Sequence, residues 1–525
     1  MDEVFGALRS GLVRHEREIA RRAQRDFAMR HAAAAEQQFR TVLDATGRKD
    51  DILLARARAA DGSQYWAGLP ADECIGTHTW VTGASGSGKS FWVLGWLFQI
   101  LTRIIRTGRG AVIIVDLKGE IAALILTVLL PALVRRHRGD ALLRNLRVIR
   151  PFGRFIPELR VTLPEPGVPR EVQAMTIASA LEDALADELR TRMNRVVLKL
   201  ITLAIEKDEP LTRLTSWLEN PEQFARLAQT SADPLLRQYA AGPFLREAKT
   251  SLDAVLARLD LFSMLRETQL ALSAERCVSF ADALESGLTI VDLGDPPAGA
   301  ERAAKFWAGI TVGKVMRAVL SRVVRDNSAP VWILFDEVQE AITGRQADQF
   351  ARLVTLARFK KVGLAFTNQM AAAGQLDAKL VKILRTNTGL EAIFRTSYED
   401  ARALAHALPH SGDPKAARAE RQELLEMLPV LPRRQFLLWP KAWSLRARVV
   451  TSPRLDLNQL KALAAELPGD LHAQIEQGTV ARPRHELEAL VTRQERASRR
   501  STTTVPFLRV ADEDEGATTS SPRLG

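Results

Sequence analysis

Residues 83–90 constrain this chain most, because their sequence GASGSGKS fits the phosphate-loop pattern G-x-x-x-x-G-K-[ST] at every fixed position. An apolar lead-in around Trp80 and Val81 predicts a strand before the loop. The apolar run over residues 91–105 predicts the helix that follows it. Strand, loop and helix together are the context that the motif requires, so the sequence predicts a site for ATP or GTP.

Each part of the motif has a chemical role toward phosphate. Glycines let backbone N–H groups turn toward the phosphates, and the N-terminus of the following helix adds its partial positive charge. Lys89 is expected to reach the β- and γ-phosphates, and the Ser90 hydroxyl is expected to hold Mg²⁺. The predicted nucleotide-binding residues are Gly83, Ala84, Ser85, Gly86, Ser87, Gly88, Lys89 and Ser90.

Charge and cysteine content limit the class of protein. Among 525 residues, 73 Lys and Arg stand against 62 Asp and Glu, which gives a net charge of +11 at pH 7 and suits a polyanionic partner such as DNA. Two cysteines, Cys74 and Cys277, argue against a disulfide framework or a cysteine metal site and fit a reducing compartment. No run reaches the roughly 18 apolar residues of a membrane span, and the start lacks a signal-peptide core. The sequence therefore predicts a cytoplasmic protein without a transmembrane segment of its own.

Apolar runs of strand length recur along the chain and alternate with helical patterns. The first is AVIIVD, which leads into LKGE at residues 117–120. Four more, LTIVD, VWILFD, VGLAFTN and LEAI, follow residue 280. Such runs are typical of parallel strands buried on both faces, so the predicted fold class is α/β with a mostly parallel sheet. Residues 435–440 and 445–453 are candidate edge strands.

The apolar spacing between residues 165 and 280 is helical, which predicts an all-helical insertion in the nucleotide-binding domain. The predicted parts are an amphipathic helical segment at 1–60, the two halves of the nucleotide-binding domain at 61–164 and 281–455, the insertion at 165–280, and a C-terminal helical segment with a disordered tail at 456–525, polar from about 480 onward. The first segment, helical over residues 1–58, either packs on its own domain or docks on a partner or a membrane surface.

Asp336 and Glu337 end the run VWILFDE, where a buried strand delivers its last side chains to the nucleotide. Asp336 is expected to support Mg²⁺, directly or through water. Glu337 is expected to polarise the attacking water as a general base, which needs a carboxylate within hydrogen-bond reach of the γ-phosphate. An apolar run ending in Asp-Glu is common by chance, and the phosphate loop upstream favours the functional interpretation.

Two further polar residues flank the next predicted strand. Gln369 follows it and is expected to sense the γ-phosphate or orient the water; the alternative is a loop amide that caps the following helix. Arg358 precedes it. A lone arginine is usually a solvated surface group, but ring-forming subunits often insert one into a neighbour's ATP site, where it stabilises transition-state charge.

The order of these motifs resembles the HerA/FtsK clade of P-loop ATPases, and within it the TraD/TraG-type coupling proteins of conjugation and type IV secretion. The resemblance covers about residues 70–455. It rests on the phosphate loop, DLKGE, the helical insertion, LFDE, ARFKKVGLAFTNQ and LRTNTGLEAIFRTSYEDARALA. In that family the strand-end motif, here Asp116, Lys118, Gly119 and Glu120, recurs. The resemblance assigns the trans-acting finger to Arg358, with Arg395 as a second candidate.

The resemblance implies a RecA-like fold and a homo-hexameric ring that hydrolyses ATP with Mg²⁺ at subunit interfaces and pumps DNA through a basic channel. The helical insertion would engage DNA and accessory proteins. Typical coupling proteins carry N-terminal transmembrane helices, whereas this sequence has only the amphipathic segment at 1–58. The resemblance therefore implies either a subgroup that reaches the inner membrane through secretion or transfer partners, or a HerA-like translocase with a different role.

Four functions remain open on the sequence. A DNA-translocating motor of conjugation or type IV secretion is favoured. A HerA-like helicase or translocase in repair, phage defence or mobile-element maintenance is the alternative enzyme. An ATP-gated platform that recruits protein substrates would bind ATP without DNA-stimulated hydrolysis. A nucleotide-binding structural subunit would neither hydrolyse ATP rapidly nor move DNA.

Overall fold

One large sheet organises the chain in a computed structural model of the protein. The structure describes residues 33–503, apart from residues 47, 49, 60, 138, 186–190, 245–248, 264, 343–346, 370–377, 409 and 411–413. The strands are β1 (Asp51–Arg58), β2 (Gln64–Pro70), β3 (Thr79–Thr82), β4 (Gly110–Asp116), β5 (Leu146–Ile149), β6 (Phe155–Pro157), β7 (Ser286–Asp292), β8 (Val331–Asp336), β9 (Val362–Asn368), β10 (Leu390–Ile393), β11 (Gln435–Trp439), β12 (Arg448–Thr451) and β13 (Ala481–Pro483).

The sheet has eleven strands in the order β2-β1-β12-β11-β10-β3-β9-β8-β4-β7-β5. The strands from β10 to β5 pair in parallel, and the remaining pairs are antiparallel. Every residue of β4, β8 and β9 is buried, as expected for parallel strands covered on both faces. The strands predicted around AVIIVD, LTIVD, VWILFD, VGLAFTN and LEAI are therefore present.

Helices cover both faces of this sheet. Alternate residues of β4 belong to different cores: Ile113 and Val115 to one, Val112 and Ile114 to the other. The helices before the insertion are α1 (Ala33–Leu43), α2 (Ala71–Gly76), α3 (Lys89–Thr107), α4 (Glu120–Leu124), a π-helical turn (Ile125–Leu129), α5 (Leu130–His137) and α6 (Asp140–Arg144). Within the described part of the chain, no helix is both long and apolar enough to cross a bilayer.

The described residues of the region predicted as an insertion form helices joined by turns, with one isolated β-bridge between Cys277 and Leu159. Its buried aromatic rings, among them Trp217, Phe224 and Phe244, join the core on one face of the sheet. The helices from residue 170 to residue 283 are α7 (Arg170–Ala184), α8 (Thr191–Glu206), α9 (Arg213–Glu219), α10 (Pro221–Gln229), α11 (Pro234–Ala241), α12 (Lys249–Ser263), α13 (Arg266–Leu272) and α14 (Phe280–Ala283).

The remaining helices return to the sheet and its C-terminal extension. They are α15 (Glu301–Ser321), α16 (Val338–Ala341), α17 (Ala347–Leu356), α18 (Ala378–Asn387), α19 (Tyr398–Ala407), α20 (Pro414–Met427), α21 (Leu457–Ala465), α22 (Gly469–Gln477) and α23 (Arg484–Thr503), with 3₁₀ turns at Ala357–Lys360, Leu428–Val430 and Lys441–Trp443. Helix α15 is tied to the insertion side by Glu165, which accepts hydrogen bonds from Lys314 and Arg317.

The N-terminal segment departs from its prediction. Residues 1–32 lie outside the described residues, and α1 follows, but residues 51–58 form β1 rather than helix. β1 pairs with β2 along its length and is joined to it by a turn in which Ser63 N–H donates to the Asp61 carboxylate at 2.8 Å. Cross-strand pairing outweighs the helical spacing of the arginine-rich sequence. Because this hairpin lies outside β12, neither β11 nor β12 is an edge strand.

The C-terminal prediction is also wrong over residues 481–503, which were expected to be disordered. β13 pairs with β6, and α23 buries Leu487 and Val491, four residues apart, in the insertion-side core. Arg484 adds an ion pair with Glu267 at 2.8 Å. Two apolar residues on one face anchor a helix that is otherwise polar, and a composition-based prediction misses this. Residues 504–525 lie outside the described residues.

Candidate nucleotide-binding site

The phosphate loop lies at the carboxyl end of β3, between β10 and β9 near the centre of the sheet. Three of its glycines, Gly83, Gly86 and Gly88, have positive φ angles of 148°, 69° and 112°. Side chains rarely adopt this backbone conformation, so the glycines let the loop turn back over the start of α3. A Cβ at Gly83 would also lie only 2.6 Å from Phe394 Cβ, which fixes glycine there on steric grounds.

Two segments from the C-terminal half of the domain support the loop. The Ala84 N–H donates to the Arg395 carbonyl oxygen at 2.6 Å, and the Arg434 N–H donates to the Ser87 carbonyl oxygen at 3.3 Å. The Arg434 guanidinium also lies 4.4 Å from the centre of the Phe91 ring, a cation–π distance. The backbone of Arg395 therefore belongs to the support of its own phosphate loop.

Lys89 lies almost buried at the start of α3, with 8% of its surface exposed. Its Nζ donates to the carbonyl oxygens of Gly83 at 2.5 Å and Ala84 at 3.2 Å. Burial lowers the pKa of Lys89, while the carboxylates of Glu337 and Asp336 act in the opposite direction. The ammonium group thus lies between the loop and two acidic strand-end residues.

Three adjacent parallel strands end in aspartate at the same level of the sheet. Asp116 of β4 is in register with Asp292 of β7 on one side and with Asp336 of β8 on the other. Burial raises the pKa of Asp336 to about 7, and the Asp116 carboxylate acts in the same direction. Thr367 Oγ1 donates a hydrogen bond to Asp336 Oδ1. A bound cation would therefore favour the ionised form of the Asp336 carboxyl group.

Glu337 follows β8 with a left-handed backbone, φ 52°, which is a strained conformation for a residue other than glycine. Its N–H donates to Thr367 Oγ1 at 3.1 Å. One carboxylate oxygen lies 3.2 Å from Lys118 Nζ, and the other accepts from Gln339 Nε2 at 2.5 Å. The carboxylate, 6% exposed, is thus fixed on both oxygens beside the loop.

The DLKGE loop places Lys118 next to Glu337. The Asp116 carboxylate accepts from the N–H groups of Lys118 and Gly119 through one oxygen, at 3.0 and 2.8 Å, and from Ala122 N–H through the other, at 2.8 Å. A Cβ at Gly294 would come within 2.3 Å of the Lys118 carbonyl oxygen, so the loop after β7 packs directly on this one. Asp116 is therefore a structural residue that shapes the loop.

These groups line a cavity of about 300 Å³, a volume within the size range of small-ligand pockets. It contains nine of the predicted residues: Ala84, Ser85, Gly86, Gly88, Lys89, Ser90, Asp336, Glu337 and Gln369. Gly83 and Ser87 lie behind the cavity. The Gly83 carbonyl oxygen accepts the hydrogen bond from Lys89, and Ser87 is a buried residue of the loop. Ser90 and Asp336 present hydroxyl and carboxylate oxygens to the same cavity, a donor set that fits Mg²⁺.

Sequence reasoning missed several residues of this site. Thr367 and Arg433 line the cavity, together with Phe91. Arg150 Nε lies 2.7 Å from Asp292 Oδ2 and holds the neighbouring strand end. The one available signal was that AVIIVD, LTIVD and VWILFD all end in aspartate, which places three carboxylates at one sheet edge.

The two predicted finger arginines lie outside the cavity. Arg358 is exposed on the 3₁₀ turn before β9, whereas Gln369 follows the same strand and lines the cavity. The seven residues of β9 separate the two ends by about 20 Å, so Arg358 does not reach the cavity of its own chain. Arg395 is exposed, and its backbone carbonyl oxygen accepts the hydrogen bond from the loop.

No protein-family model matches this chain, and no curated protein does. Solved structures do match. The bacterial conjugative coupling protein TrwBdeltaN70, in its unbound monoclinic form, is 14% identical and aligns over 81% of this chain and 92% of that chain with a TM-score of 0.50. Its trigonal form in complex with sulphate is also 14% identical and aligns over 81% of this chain and 93% of that chain, with a TM-score of 0.50.

The chain has the fold of a conjugative coupling protein. VirB4 of Thermoanaerobacter pseudethanolicus is also 14% identical, over 79% of this chain and 99% of that chain, with a TM-score of 0.49. The predicted resemblance is confirmed at the level of the fold, and so is the predicted fold class, a RecA-like P-loop NTPase with a mostly parallel sheet and an inserted helical domain.

Proposed function

We propose that the protein is a P-loop ATPase that uses ATP hydrolysis to move DNA in conjugative or type IV secretion-type transfer. The observation that carries the proposal is the cavity in which the phosphate loop, Asp336, Glu337 and Gln369 meet. A loop that binds phosphates beside a carboxylate that can accept a proton is the arrangement needed for hydrolysis of the γ-phosphate. The fold of a conjugative coupling protein supports the biological setting.

The chain's own residues account for phosphate binding. The loop backbone and the N-terminus of α3 contact the phosphates, and Lys89 neutralises charge on the β- and γ-oxygens. Ser90 and Asp336 would hold Mg²⁺, which supplies further charge neutralisation at the phosphates. Because the pKa of Asp336 is about 7, this carboxyl group must lose its proton to serve as a ligand, and the cation favours that loss.

Glu337 is the proposed general base, and Gln369 the residue that orients the water. Glu337 Oε1 forms an ion pair with Lys118 Nζ at 3.2 Å, which fixes the position of the carboxylate in the cavity. Gln339 holds the second oxygen. Proton acceptance by Glu337 and alignment of the water by an amide that takes no proton are separate roles, and both side chains line the same cavity.

The position of Arg358 supports a ring assembly. It lies at the opposite end of β9 from its own cavity, so it can act only on nucleotide held by another subunit. Beside it, Phe359 is 75% exposed. Val323, on the adjacent loop, is 76% exposed. Two hydrogen bonds tie this loop to the turn: the Arg322 side chain donates to the Lys360 carbonyl oxygen, and the Lys360 side chain donates to the Arg322 carbonyl oxygen. An exposed apolar pair beside an arginine suits contact with a second copy.

The proposed assembly is a homo-hexamer with DNA in a central channel, and the net charge of +11 suits that polyanion. We assign DNA and accessory-protein contacts to the insertion over residues 165–280. The domain limits at 164, 280 and 455 remain part of this proposal, whereas a limit at 60 would divide the hairpin of β1 and β2. Contact with membrane-bound transfer partners through residues 1–58 is also part of the proposal.

The test is ATP turnover by the full chain without DNA, with single-stranded DNA and with double-stranded DNA, alongside particle imaging that counts subunits. We expect turnover that DNA stimulates and that Lys89→Ala abolishes. ATP binding with no turnover on either DNA would overturn the motor and favour the ATP-gated recruitment platform. DNA-stimulated turnover with unwinding of duplexes would favour a HerA-like helicase.

A further inference from the structure

His78, immediately before β3, is buried and forms two hydrogen bonds to other parts of the chain. It is 3% exposed. Its Nδ1 accepts from the Leu364 N–H at 3.2 Å, and its Nε2 lies 3.0 Å from the Val354 carbonyl oxygen. Because Nδ1 is the acceptor, the single ring proton is on Nε2, which donates to Val354.

These two partners flank Arg358 in sequence. Val354 lies in the last turn of α17, Leu364 lies in β9, and the 3₁₀ turn Ala357–Lys360 runs between them. Ala357 is buried while Arg358 is exposed, so the turn is anchored on one side and presents the arginine on the other. His78 thus holds both ends of the eleven-residue segment that presents Arg358.

The chain before His78 lies against the same segment. A Cβ at Gly76 would lie 3.9 Å from Arg358 Nε, and a Cβ at Gly363 would lie 3.0 Å from Ile75 Cα. Helix α2 therefore packs on the start of β9, and the arginine side chain runs alongside the end of α2. The end of α2 therefore borders the Arg358 side chain on one side.

Burial lowers the pKa of His78 to about 4, and the positive charge of Arg358 acts in the same direction. The imidazole is therefore neutral at physiological pH, as the pair of hydrogen bonds requires.

We propose that His78 is a positioning residue that fixes Arg358 for its action on nucleotide held by the neighbouring subunit. The inference rests on the proposed role of Arg358. β3, which His78 precedes, leads at its other end into the phosphate loop, so one four-residue strand connects the subunit's own nucleotide site to the segment that serves the next site.

The first measurement is ATP binding and turnover by His78→Leu in the full chain with DNA present. We expect ATP binding within about twofold of the unmodified protein and turnover lowered by on the order of 10²-fold, the cost of misplacing a catalytic group by about 1 Å. His78→Gln keeps a donor for the Val354 carbonyl and should lose less turnover. The control is His472→Leu. His472 lies on α22, away from Arg358, and its Nε2 also forms a hydrogen bond with a backbone carbonyl oxygen, that of Ala464, at 3.0 Å. Its turnover should stay unchanged.

Mixing identifies which site His78 serves. His78→Leu should recover activity when mixed with Lys89→Ala, which has a disabled site but an intact Arg358. Roughly a quarter of the interfaces then pair an intact site with a well-placed arginine. Mixing with Arg358→Ala should give no recovery, because neither variant supplies a working arginine. A substitution that merely unfolds the protein gives no recovery in either mixture.

The opposite pattern, recovery only with Arg358→Ala, would show that His78 acts on its own phosphate loop through β3 and would overturn the inference. Recovery in neither mixture, or full turnover by His78→Leu alone, would overturn it too. The reference mixture is Arg358→Ala with Lys89→Ala. If that pair fails to recover despite subunit exchange, the proposed role of Arg358 is wrong and the inference falls with it.

Discussion

Glu337→Gln removes a proton acceptor from the cavity while keeping the shape of the side chain. In the structure one carboxylate oxygen lies 3.2 Å from Lys118 Nζ, and the other accepts from Gln339 Nε2 at 2.5 Å. A glutamine amide oxygen can keep one of these contacts. Its nitrogen cannot accept a hydrogen bond and carries no charge for Lys118.

The magnitudes separate an effect on chemistry from an effect on folding. A positioned general base contributes about 10² to 10⁴ in rate, which corresponds to about 3 to 5 kcal/mol of activation free energy. The ion pair with Lys118 contributes at most about 1 kcal/mol to stability, because the lysine side chain is 37% exposed. Glutamine faces the same backbone strain at φ 52°. We therefore expect ATP binding and folding to persist while turnover falls at least about 100-fold.

The assay is steady-state ATP turnover with DNA, together with equilibrium binding of ATP and thermal unfolding. The matched control is Glu340→Gln, the same chemical change three residues later at an exposed position of α16. Its turnover should match that of the unmodified protein. Turnover by Glu337→Gln at the normal rate, or loss of its ATP binding, would refute the assignment of Glu337 as the base.

The other predictions concern Asp336, DNA affinity and β1. The folded-state pKa of Asp336, about 7, lies above the ordinary value of 3.8. The stability that the protonated carboxyl group contributes to the folded state is therefore lost as pH rises from about 4 through 7. Asp336→Asn should raise the free energy of unfolding at pH 8 and have little effect near pH 4, as measured by denaturant titration without Mg²⁺; equal effects at both pH values would contradict this pKa. DNA affinity measured between 50 and 200 mM salt should fall steeply and depend little on sequence, because phosphate contacts dominate it, and salt-insensitive, sequence-selective binding would exclude the DNA pump. Removing residues 1–58 should lower thermal stability because it deletes β1, whose buried Ile52 and Leu54 each contribute about 1.5 to 3 kcal/mol; an unchanged unfolding midpoint would show that β1 is dispensable.

The sequence predicts most of the parallel sheet and the centre of the candidate site, because both depend on local patterns. A buried parallel strand is a continuous apolar run, and its carboxyl end lies at the same sheet edge as those of its neighbours. Asp336, Glu337 and Gln369 follow such runs, so their meeting with the phosphate loop follows from topology. All three side chains line one cavity for this reason, and their catalytic roles stay predictions.

Other parts depend on contacts between distant residues. Arg433 reaches the cavity because β11 returns to pair with β10, and no local pattern encodes that pairing. The strand β1 owes its conformation to its partner β2, and α23 owes its place to Leu487 and Val491. In each case a few buried contacts outweigh the average character of the segment.

The central claim is that ATP hydrolysis drives movement along DNA, and the most direct measurement is displacement of streptavidin from biotinylated DNA ends. The full chain should displace it in an ATP-dependent manner from single-stranded or double-stranded DNA, while Glu337→Gln should bind the same DNA without displacement. ATP turnover at the normal rate with displacement from neither DNA would contradict the account, because the ATPase would then serve a function other than translocation.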